Sequence, residues 1–378
     1  MDFALNAAQS VALVLAFLLK GYALQKYVPI LKSNYVPAPF LGGLLLALSM
    51  LAVRPLLNIT LDTTLVSIFA TGFFASIGLR MNRAMIMQGL PKMALFLLLV
   101  VGVAVVQNIL SLLTGTLLGI GPEEILLNGS LVFMGDATLA PLFQELGGSN
   151  DLLPALSAVS VLAVLVGTLA GGQVFKVLQK KADLSQTLKP PAPNFSSLEL
   201  LRYLAVFSLS MALGFLPSQF GLGHWVSPLG GAFLAGLLIR LALDMSNMSK
   251  WMEVGLPSVN LLGNVSLSLF LTFMFATMQW QLLLQVGPFG VLMVVLNLVL
   301  LMLVTLYASQ RIFGKSALTI YLAAGLPGFS IGIPASTMAT LQCIKENHGA
   351  LPLALFVVPP VGAWLITLLN PYIILFFF

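Results

Sequence analysis

The chain has 378 residues, of which 59% are apolar and only 8% are charged. Soluble proteins carry about 25% charged residues, so this composition excludes a soluble globular protein and a disordered one. The 17 basic residues are scattered between apolar runs and form no basic patch, which excludes a nucleic-acid-binding protein. The composition predicts an integral membrane protein, with the lipid bilayer as its solvent.

The chain has few cysteines and histidines and lacks the motifs that are typical of enzyme active sites. Its one cysteine, Cys343, cannot form an internal disulfide, and two histidines far apart in sequence cannot build a metal centre. The sequence contains no Ser-His-Asp set, no HExxH motif and no nucleotide-binding loop. We therefore expect that the protein is not an enzyme and carries no cofactor.

Ten apolar runs are long enough to cross roughly 30 Å of hydrocarbon, and they form two sets of five. The first set covers about 3–21, 38–57, 65–80, 93–119 and 152–177, and the second about 198–217, 226–243, 259–280, 288–312 and 351–377. Two further apolar stretches, about 125–147 and 317–343, are interrupted by glycine, proline, serine and threonine. Each interrupted stretch lies between the fourth and fifth run of its set.

Matching motifs at equivalent positions indicate an internal repeat. Pro39-x-x-Gly42 in the second run matches Pro228-x-x-Gly231 in the seventh. If the interrupted stretches are re-entrant hairpins, each half crosses the membrane an odd number of times, so the two halves are inverted relative to each other. The predicted fold is therefore an all-α integral membrane protein with two inverted-topology repeats and ten spans. Its predicted units are a first repeat at 1–178, a linker at 179–197 and a second repeat at 198–378.

The basic residues test this topology. With an external amino terminus and two re-entrant hairpins, 16 of the 17 lysines and arginines are cytoplasmic, and only Arg54 is external. Such an excess of positive charge is typical of cytoplasmic loops. If either interrupted stretch crossed fully, every later charge would change side and the asymmetry would be lost. The charges thus predict external termini and a cytoplasmic central linker.

The interrupted stretches are the predicted substrate site, because irregular backbone at membrane depth is tolerated only where it is buried or lines a wet cavity. A helix that restarts after each break directs free N–H groups and a positive dipole end into a shared space, which suits a small anionic substrate. Three glycines and two prolines between Gly325 and Pro334 predict that no continuous helix forms there. The predicted substrate-binding residues are Gly135, Asp136, Ala137, Thr138, Gly332, Ser336 and Thr337.

Unwound carbonyls and polar side chains near the breaks suit Na⁺. The candidate ion-binding residues are Ser76, Asn108, Asn264, Asn297 and Ser330. Asn108 and Asn297 are the stronger candidates because they occupy equivalent positions, each in the run before an interrupted stretch. Intramembrane serines and asparagines also commonly hydrogen-bond one helix to another, which is the alternative role for Ser76 and the three asparagines.

Three of these residues have further alternatives. Asp136 is either a cation ligand, a proton carrier or a partner for a substrate amine, or it is the N-cap of the helix that restarts after the first break. Ser336 or Thr337 is the candidate N-cap after the second break. Asn264 is also placed to cap or interrupt the eighth span.

Five stretches of the chain resemble the bacterial glutamate:sodium symporters, the ESS family, along nearly its whole length. The most specific is Gly-Asn-Val-Ser-Leu-Ser-Leu-Phe-Leu at 263–271. The other four are 36–43, 73–79, 106–108 and 356–363. The resemblance implies inverted halves of five spans with one pore loop each, a homodimer in the bacterial inner membrane, Na⁺-coupled uptake of L-glutamate and elevator-like movement.

The chain departs from that family in the first pore loop. The family has a glycine-rich loop with a histidine, whereas this chain has one glycine, Gly135, followed by Asp136. The primary hypothesis is Na⁺-coupled symport of L-glutamate or a related small organic anion. The alternative is a proton-coupled carrier of a different organic acid that uses Asp136, and a third hypothesis is a passive channel or a sensor.

Overall fold

The computed structural model describes residues 2–135, 139–181, 197–223, 225–246 and 248–378. Nearly all of this described chain is helical. The predicted linker at 179–197 lies mostly outside it, as do Asp136, Ala137 and Thr138 of the predicted substrate site.

The helices follow each other in two comparable series. The first half contains α1 (Ala7–Tyr27), α2 (Pro29–Ser33), α3 (Ala38–Val53), α4 (Val66–Leu79), α5 (Arg83–Leu118), α6 (Pro122–Leu126), α7 (Val132–Gly135), α8 (Ala140–Glu145) and α9 (Leu153–Leu178). The second half contains α10 (Ser197–Gln219), α11 (Pro228–Met245), α12 (Ser249–Thr277), α13 (Pro288–Leu303), α14 (Ser309–Phe313), α15 (Ala317–Ser330), α16 (Pro334–His348), α17 (Pro352–Pro360) and α18 (Ile366–Phe377). π-Helical turns cover Leu127–Leu131, Val304–Ala308 and Val361–Leu365.

Eight helical segments of the described chain are long and apolar enough to cross a membrane. They are Ala7–Tyr27, Arg83–Leu118, Asn150–Leu178, Ser197–Gln219, Pro228–Met245, Lys250–Thr277, Pro288–Phe313 and Pro352–Phe377. The predicted class, an all-α multi-pass membrane protein, is thereby confirmed. The other two predicted spans correspond to α3 and α4, with 16 and 14 residues, which at ~1.5 Å per residue are about 24 and 21 Å long. The number of ten spans stays a prediction.

Two strands of three residues were not predicted. β1 (Asp2–Ala4) and β2 (Asn58–Thr60) pair in parallel, with Asp2 opposite Asn58. Strands this short have no periodic signal in the sequence. Their pairing places the start of the chain beside the connection between α3 and α4, and both segments are external in the predicted topology.

The first two long helices of each half are packed backbone to backbone through glycine. A methyl group at Gly42 in α3 would lie 2.6 Å from the carbonyl oxygen of Phe17 in α1. One at Gly214 in α10 would lie 2.5 Å from the backbone nitrogen of Ala232 in α11. Only glycine permits this close an approach of the two backbones.

The two halves also exchange reciprocal contacts. A methyl group at Gly43 in α3 would lie 2.8 Å from the carbonyl oxygen of Thr272 in α12. One at Gly236 in α11 would lie 2.6 Å from the carbonyl oxygen of Ala75 in α4. Because α3 and α11 occupy the same place in the two series, the second long helix of each half packs against the third long helix of the other.

The second interrupted stretch is a helical hairpin. α15 and α16 pack antiparallel, and the three residues that join them, 331–333, are buried. The hydroxyl of Thr337 in α16 donates to the carbonyl of Gly325 in α15 at 2.7 Å, which ties the two arms together.

One prediction for this hairpin is confirmed and one is wrong. No continuous helix spans Gly325 to Pro334, as predicted, since α15 ends at Ser330 and α16 begins at Pro334. α15 nevertheless continues through Pro327, because the helix is buried and its packing outweighs the local cost of proline and glycine. Neither Ser336 nor Thr337 is the N-cap of α16. Pro334 is its first residue and Ile333 its N-cap, because proline has the φ angle of a first helical position already fixed.

The first interrupted stretch has a break that was not predicted. Asn128 and Gly129 have non-helical backbone angles inside the π-helical turn between α6 and α7. The predicted break at Asp136 lies outside the described residues. An Asn-Gly pair favours non-helical backbone, and this pair lies one turn into a helix that would otherwise continue.

The ends of both interrupted stretches are tied together. The carboxylate of Glu123 at the start of the first stretch accepts a hydrogen bond from the Ser149 N–H at 2.9 Å. In the second stretch, the hydroxyl of Tyr321 donates to the carbonyl of Gly349 at 2.7 Å. The two ends of each interrupted stretch therefore lie next to each other.

Candidate functional site

Two adjacent residues of α5 hold both interrupted stretches. The side-chain amide of Gln107 donates to the carbonyl of Ser330, the last residue of α15, at 2.6 Å. The side-chain oxygen of Asn108 accepts from the N–H of Ser130, just after the first break, at 2.7 Å. All four residues are fully buried. One turn of α5 therefore positions the break of each stretch relative to the other.

The first break is held from both sides. Asn370 in α18 donates its side-chain amide to the carbonyl of Ser130 at 2.8 Å, opposite the contact from Asn108. A methyl group at Gly129 would overlap the side-chain oxygen of Asn108, so only glycine allows this approach. These contacts replace the hydrogen bonds that the helix loses at its break, as buried backbone groups require.

Several buried polar atoms around these contacts have no hydrogen-bond partner within the described chain. They are Oε1 of Gln107, Nδ2 of Asn108, Oδ1 of Asn128, Oγ of Ser130, Oγ of Ser330, Oγ of Ser336 and Oδ1 of Asn370. Buried polar groups are nearly always paired in proteins, so a group of unpaired ones marks a place where a ligand binds. Six of these seven atoms are oxygens, the ligand type that hard cations select.

Several predicted site residues lie at these two breaks. Asn108 and Ser330 make the contacts described above. Gly332 lies at the hairpin tip, where a methyl group would lie 3.2 Å from the Cα of Val164 in α9 and 3.3 Å from the hydroxyl of Ser336. Gly135 is buried at the end of α7.

Asn297 makes a different contact from Asn108, its equivalent in the repeat. Its side-chain amide donates to the carbonyl of Met293, one turn earlier in α13, at 2.9 Å. Its side-chain oxygen is buried and has no partner among the described residues. Asn297 thus has a polar atom available for a ligand, although it does not hold a break.

Ser76 and Asn264 contact basic residues instead of the breaks. The hydroxyl of Ser76 accepts from the guanidinium of Arg80 at 3.1 Å. The side-chain oxygen of Asn264 accepts from the ammonium of Lys345 in α16 at 2.5 Å. α12 runs unbroken through Asn264, so the expectation that this residue interrupts the eighth span is wrong. The lysine contact fixes its orientation within a continuous helix.

The sequence analysis missed a polar network around Lys345. Gln342 donates its side-chain amide to the hydroxyl of Ser268 at 2.7 Å and to Oε1 of Glu346 at 2.9 Å. The hydroxyl of Tyr22 donates to the same carboxylate oxygen at 2.8 Å. The sequence does contain a signal for this network, because α16 is far more polar than the other long buried helices. The second interrupted stretch was nevertheless predicted to end at 343.

Two cavities adjoin this network. The larger, of about 670 Å³, lies between the α1–α2 corner and the end of α16, and its lining includes Lys26, Lys32 and His348. The smaller, of about 230 Å³, lies between α1, α12 and α16. Tyr22 and Glu346 line both cavities, so their hydrogen bond lies where the cavities adjoin.

Comparison with known proteins identifies the family. A sequence model described as sodium/glutamate symporter matches residues 3–350. The sodium/glutamate symporters of Escherichia coli K12 and Shigella flexneri are each 29% identical to this chain, over 94% of it and 93% of the relative. The Haemophilus influenzae sodium/glutamate symporter is 24% identical, over 98% of this chain and 96% of the relative.

These relatives are transporters by description, which confirms the expectation that the chain is not an enzyme. The suspected resemblance to glutamate:sodium symporters is confirmed as well, because the match covers most of the chain. The chain belongs to the sodium/glutamate symporter family.

Proposed function

We propose that the protein uses the Na⁺ gradient to drive uptake of L-glutamate or a closely related acidic amino acid across the bacterial inner membrane. One observation carries this proposal: a single turn of α5 holds the breaks of both interrupted stretches, among buried oxygen atoms that have no hydrogen-bond partner in the described part of the chain. A cation bound there would contact both halves of the protein at once. The relatives described as sodium/glutamate symporters support the choice of ion and substrate.

The proposed Na⁺ ligands lie around that turn of α5. They are the side-chain oxygens of Gln107, Ser130, Ser330 and Asn370, with Asn297 as a further candidate. Asn108, whose side-chain oxygen accepts from the Ser130 N–H, would position the first break beside them. Carbonyl and hydroxyl oxygens at broken helices are the usual Na⁺ ligands of secondary transporters. We propose the restarting helices as the substrate site, with Gly332 at the hairpin tip, Ser336 and Thr337 on α16, and Gly135 to Thr138 on the first stretch.

The proposed architecture is a pair of inverted repeats at 1–178 and 198–378. The reciprocal packing of α3 against α12 and of α11 against α4 supports it, since a twofold relation between the halves generates such pairs. The tied ends of both interrupted stretches support two re-entrant hairpins. We propose external termini, a cytoplasmic linker, a homodimer and elevator-like movement of the hairpins on this basis and on family membership.

The alternative of proton coupling through Asp136 is not favoured by the family. A passive channel is likewise a poor fit, because the two breaks are packed and buried instead of lining an open pore.

Uptake by proteoliposomes tests the proposal. Liposomes containing the purified protein are given an inward Na⁺ gradient, an inward proton gradient or neither, and accumulation of radioactive L-glutamate is measured. We expect accumulation above equilibrium only with the Na⁺ gradient. Accumulation driven by protons alone would instead support the alternative, and glutamate flux indifferent to both gradients would refute coupling.

A further inference from the structure

Six of the ten residues that line the smaller cavity, between α1, α12 and α16, are polar. They are Tyr22, Asn264, Ser268, Gln342, Lys345 and Glu346. Burying polar and charged groups is costly unless they have partners. None of these six residues takes part in the contacts that hold the two breaks.

Lys345 supplies a positive charge to this cavity. Its ammonium donates to the neutral side chain of Asn264, and it forms no ion pair with any described carboxylate. A buried cation whose hydrogen-bond partner is neutral creates a positive potential that a ligand carboxylate would neutralise.

The other end of the cavity suits an ammonium group. The Glu346 carboxylate lines the cavity and accepts from Tyr22 and Gln342. The side-chain oxygen of Gln342 is buried and has no partner within the described chain. A carboxylate and an unpaired amide oxygen, both acceptors, are together suited to bind a donor with several N–H groups.

Charge and volume together define the ligand. The one cation and the one carboxylate that line the cavity, Lys345 and Glu346, complement the carboxylate and the ammonium group of an amino acid. A cavity of about 230 Å³ is smaller than the ~300–1,000 Å³ of pockets for drug-sized ligands. It has the volume of roughly eight water molecules at ~30 Å³ each. An amino acid matches both the charge pattern and the size, and the proposed function makes an acidic one the ligand.

The order of residues along α16 shows where the smaller cavity lies relative to the hairpin tip and the larger cavity. The helix begins at the hairpin tip with Pro334, reaches the smaller cavity at Gln342 and Lys345, and ends at the larger cavity with His348. In the predicted topology the larger cavity is on the cytoplasmic side. The smaller cavity therefore lies between the two breaks and that side.

We propose that the smaller cavity is a second binding site for an acidic amino acid, which a substrate occupies between the hairpin breaks and the cytoplasm. Lys345 binds a carboxylate of the ligand, and Glu346 with Gln342 binds its ammonium group. The inference rests on the proposed function, because that function makes an acidic amino acid the cargo.

Equilibrium binding to the purified full-length protein tests the site apart from transport. The number of L-glutamate molecules bound per chain is measured in Na⁺ for the wild type, Lys345→Gln and Asn264→Asp. Asn264→Asp keeps the lysine but pairs it with a protein carboxylate, which competes with the ligand. Lys315→Gln is the matched control, because this lysine is exposed and lies before α15.

We expect two glutamate molecules per wild-type and Lys315→Gln chain, and one per chain in the other two variants. In another possible outcome, the wild type binds only one molecule, and both variants either lose it or bind it roughly ten- to hundredfold more weakly. The cavity is then the main substrate site, and the proposed hairpin site fails. Unchanged binding in Lys345→Gln and Asn264→Asp would overturn the inference, as would a wild type that binds no glutamate. Transport is decided separately, by the Na⁺-driven flux.

The ammonium contact has its own test. Glutarate has both carboxylates of glutamate but lacks the ammonium group. In Glu346→Gln we expect the preference for glutamate over glutarate, measured by competition binding, to fall roughly tenfold or more. An undiminished preference in this variant would remove Glu346 from the proposed site.

Discussion

Among single residues, Gln107 and Asn108 have contacts that differ from those usual for intramembrane amides. Such amides commonly join one helix to another. Here each holds the backbone of a broken segment and keeps one side-chain polar atom without a partner among the described residues. This arrangement leaves donors and acceptors available at the place where both halves meet.

Replacement of Asn108 tests its role in Na⁺ binding. Asn108→Leu keeps the side-chain volume but removes the acceptor of the Ser130 N–H, and an unpaired buried N–H costs about 1–3 kcal/mol of stability. We expect the Na⁺ concentration that half-activates glutamate uptake to rise at least about tenfold. Asn150→Leu, at an exposed position, is the control. Equal Na⁺ activation of the two variants would exclude Asn108 from the ion site.

Among helices, direct backbone contacts at glycine positions determine how the two halves pack together. Gly78 in α4 lies so close to α11 that a methyl group would overlap the carbonyl oxygen of Phe233. Gly102 in α5, by contrast, has no other atom of the described chain within 4 Å of such a methyl group. The two glycines look alike in the sequence.

Gly→Ala substitutions at these positions should therefore have opposite effects. Gly78→Ala overpacks the α4–α11 contact, which typically costs about 1–3 kcal/mol. Gly102→Ala improves helix propensity by about 1 kcal/mol. We expect the Tm in detergent to fall for Gly78→Ala and to stay equal or rise for Gly102→Ala. A Tm shift of the same sign and size in both would contradict the packing described.

The tie at the base of the second hairpin gives another prediction. Tyr321→Phe removes the hydroxyl that donates to the carbonyl of Gly349, a net loss of about 0.5–1.5 kcal/mol. We expect faster amide hydrogen exchange in α16, because the end of this arm is released. Tyr372→Phe, on an exposed tyrosine of α18, should leave exchange in α16 unchanged. Similar exchange in both variants would show that this hydrogen bond does not hold the arm.

Local signals predicted most helices but not the positions of the breaks. Long apolar runs located the eight membrane-length segments, because length and hydrophobicity are local properties. α15 passes through Pro327 because surrounding helices stabilise it, which no local rule includes. The first stretch breaks at Asn128 and Gly129, where Asn108 and Asn370 supply the replacement hydrogen bonds from distant parts of the chain.

Local sequence signals were likewise insufficient to predict the polar network around Lys345. Lys345 and Asn264 are 81 residues apart in the sequence, so their contact has no local signal. The polar composition of α16 was available and would have extended the predicted site to Gln342 and Lys345.

For the whole molecule, the inverted arrangement predicts which connections face each side of the membrane. Single cysteines are introduced at exposed positions into a Cys343→Ser background. In intact cells we expect a membrane-impermeant maleimide to label Leu56→Cys and Leu284→Cys, which lie on predicted external connections. Lys250→Cys and Tyr27→Cys should react only after permeabilisation. Labelling of Lys250→Cys in intact cells would contradict the proposed orientation of the second half.

If one protein centre couples Na⁺ to an acidic amino acid, the two must enter together. Uptake of radioactive Na⁺ by proteoliposomes tests this coupling, with and without L-glutamate outside and with the membrane potential clamped. We predict that glutamate stimulates Na⁺ entry in a constant ratio to its own uptake, and that Asn108→Leu loses most of this stimulation. Glutamate uptake that brings no additional Na⁺ into the liposomes would contradict the account.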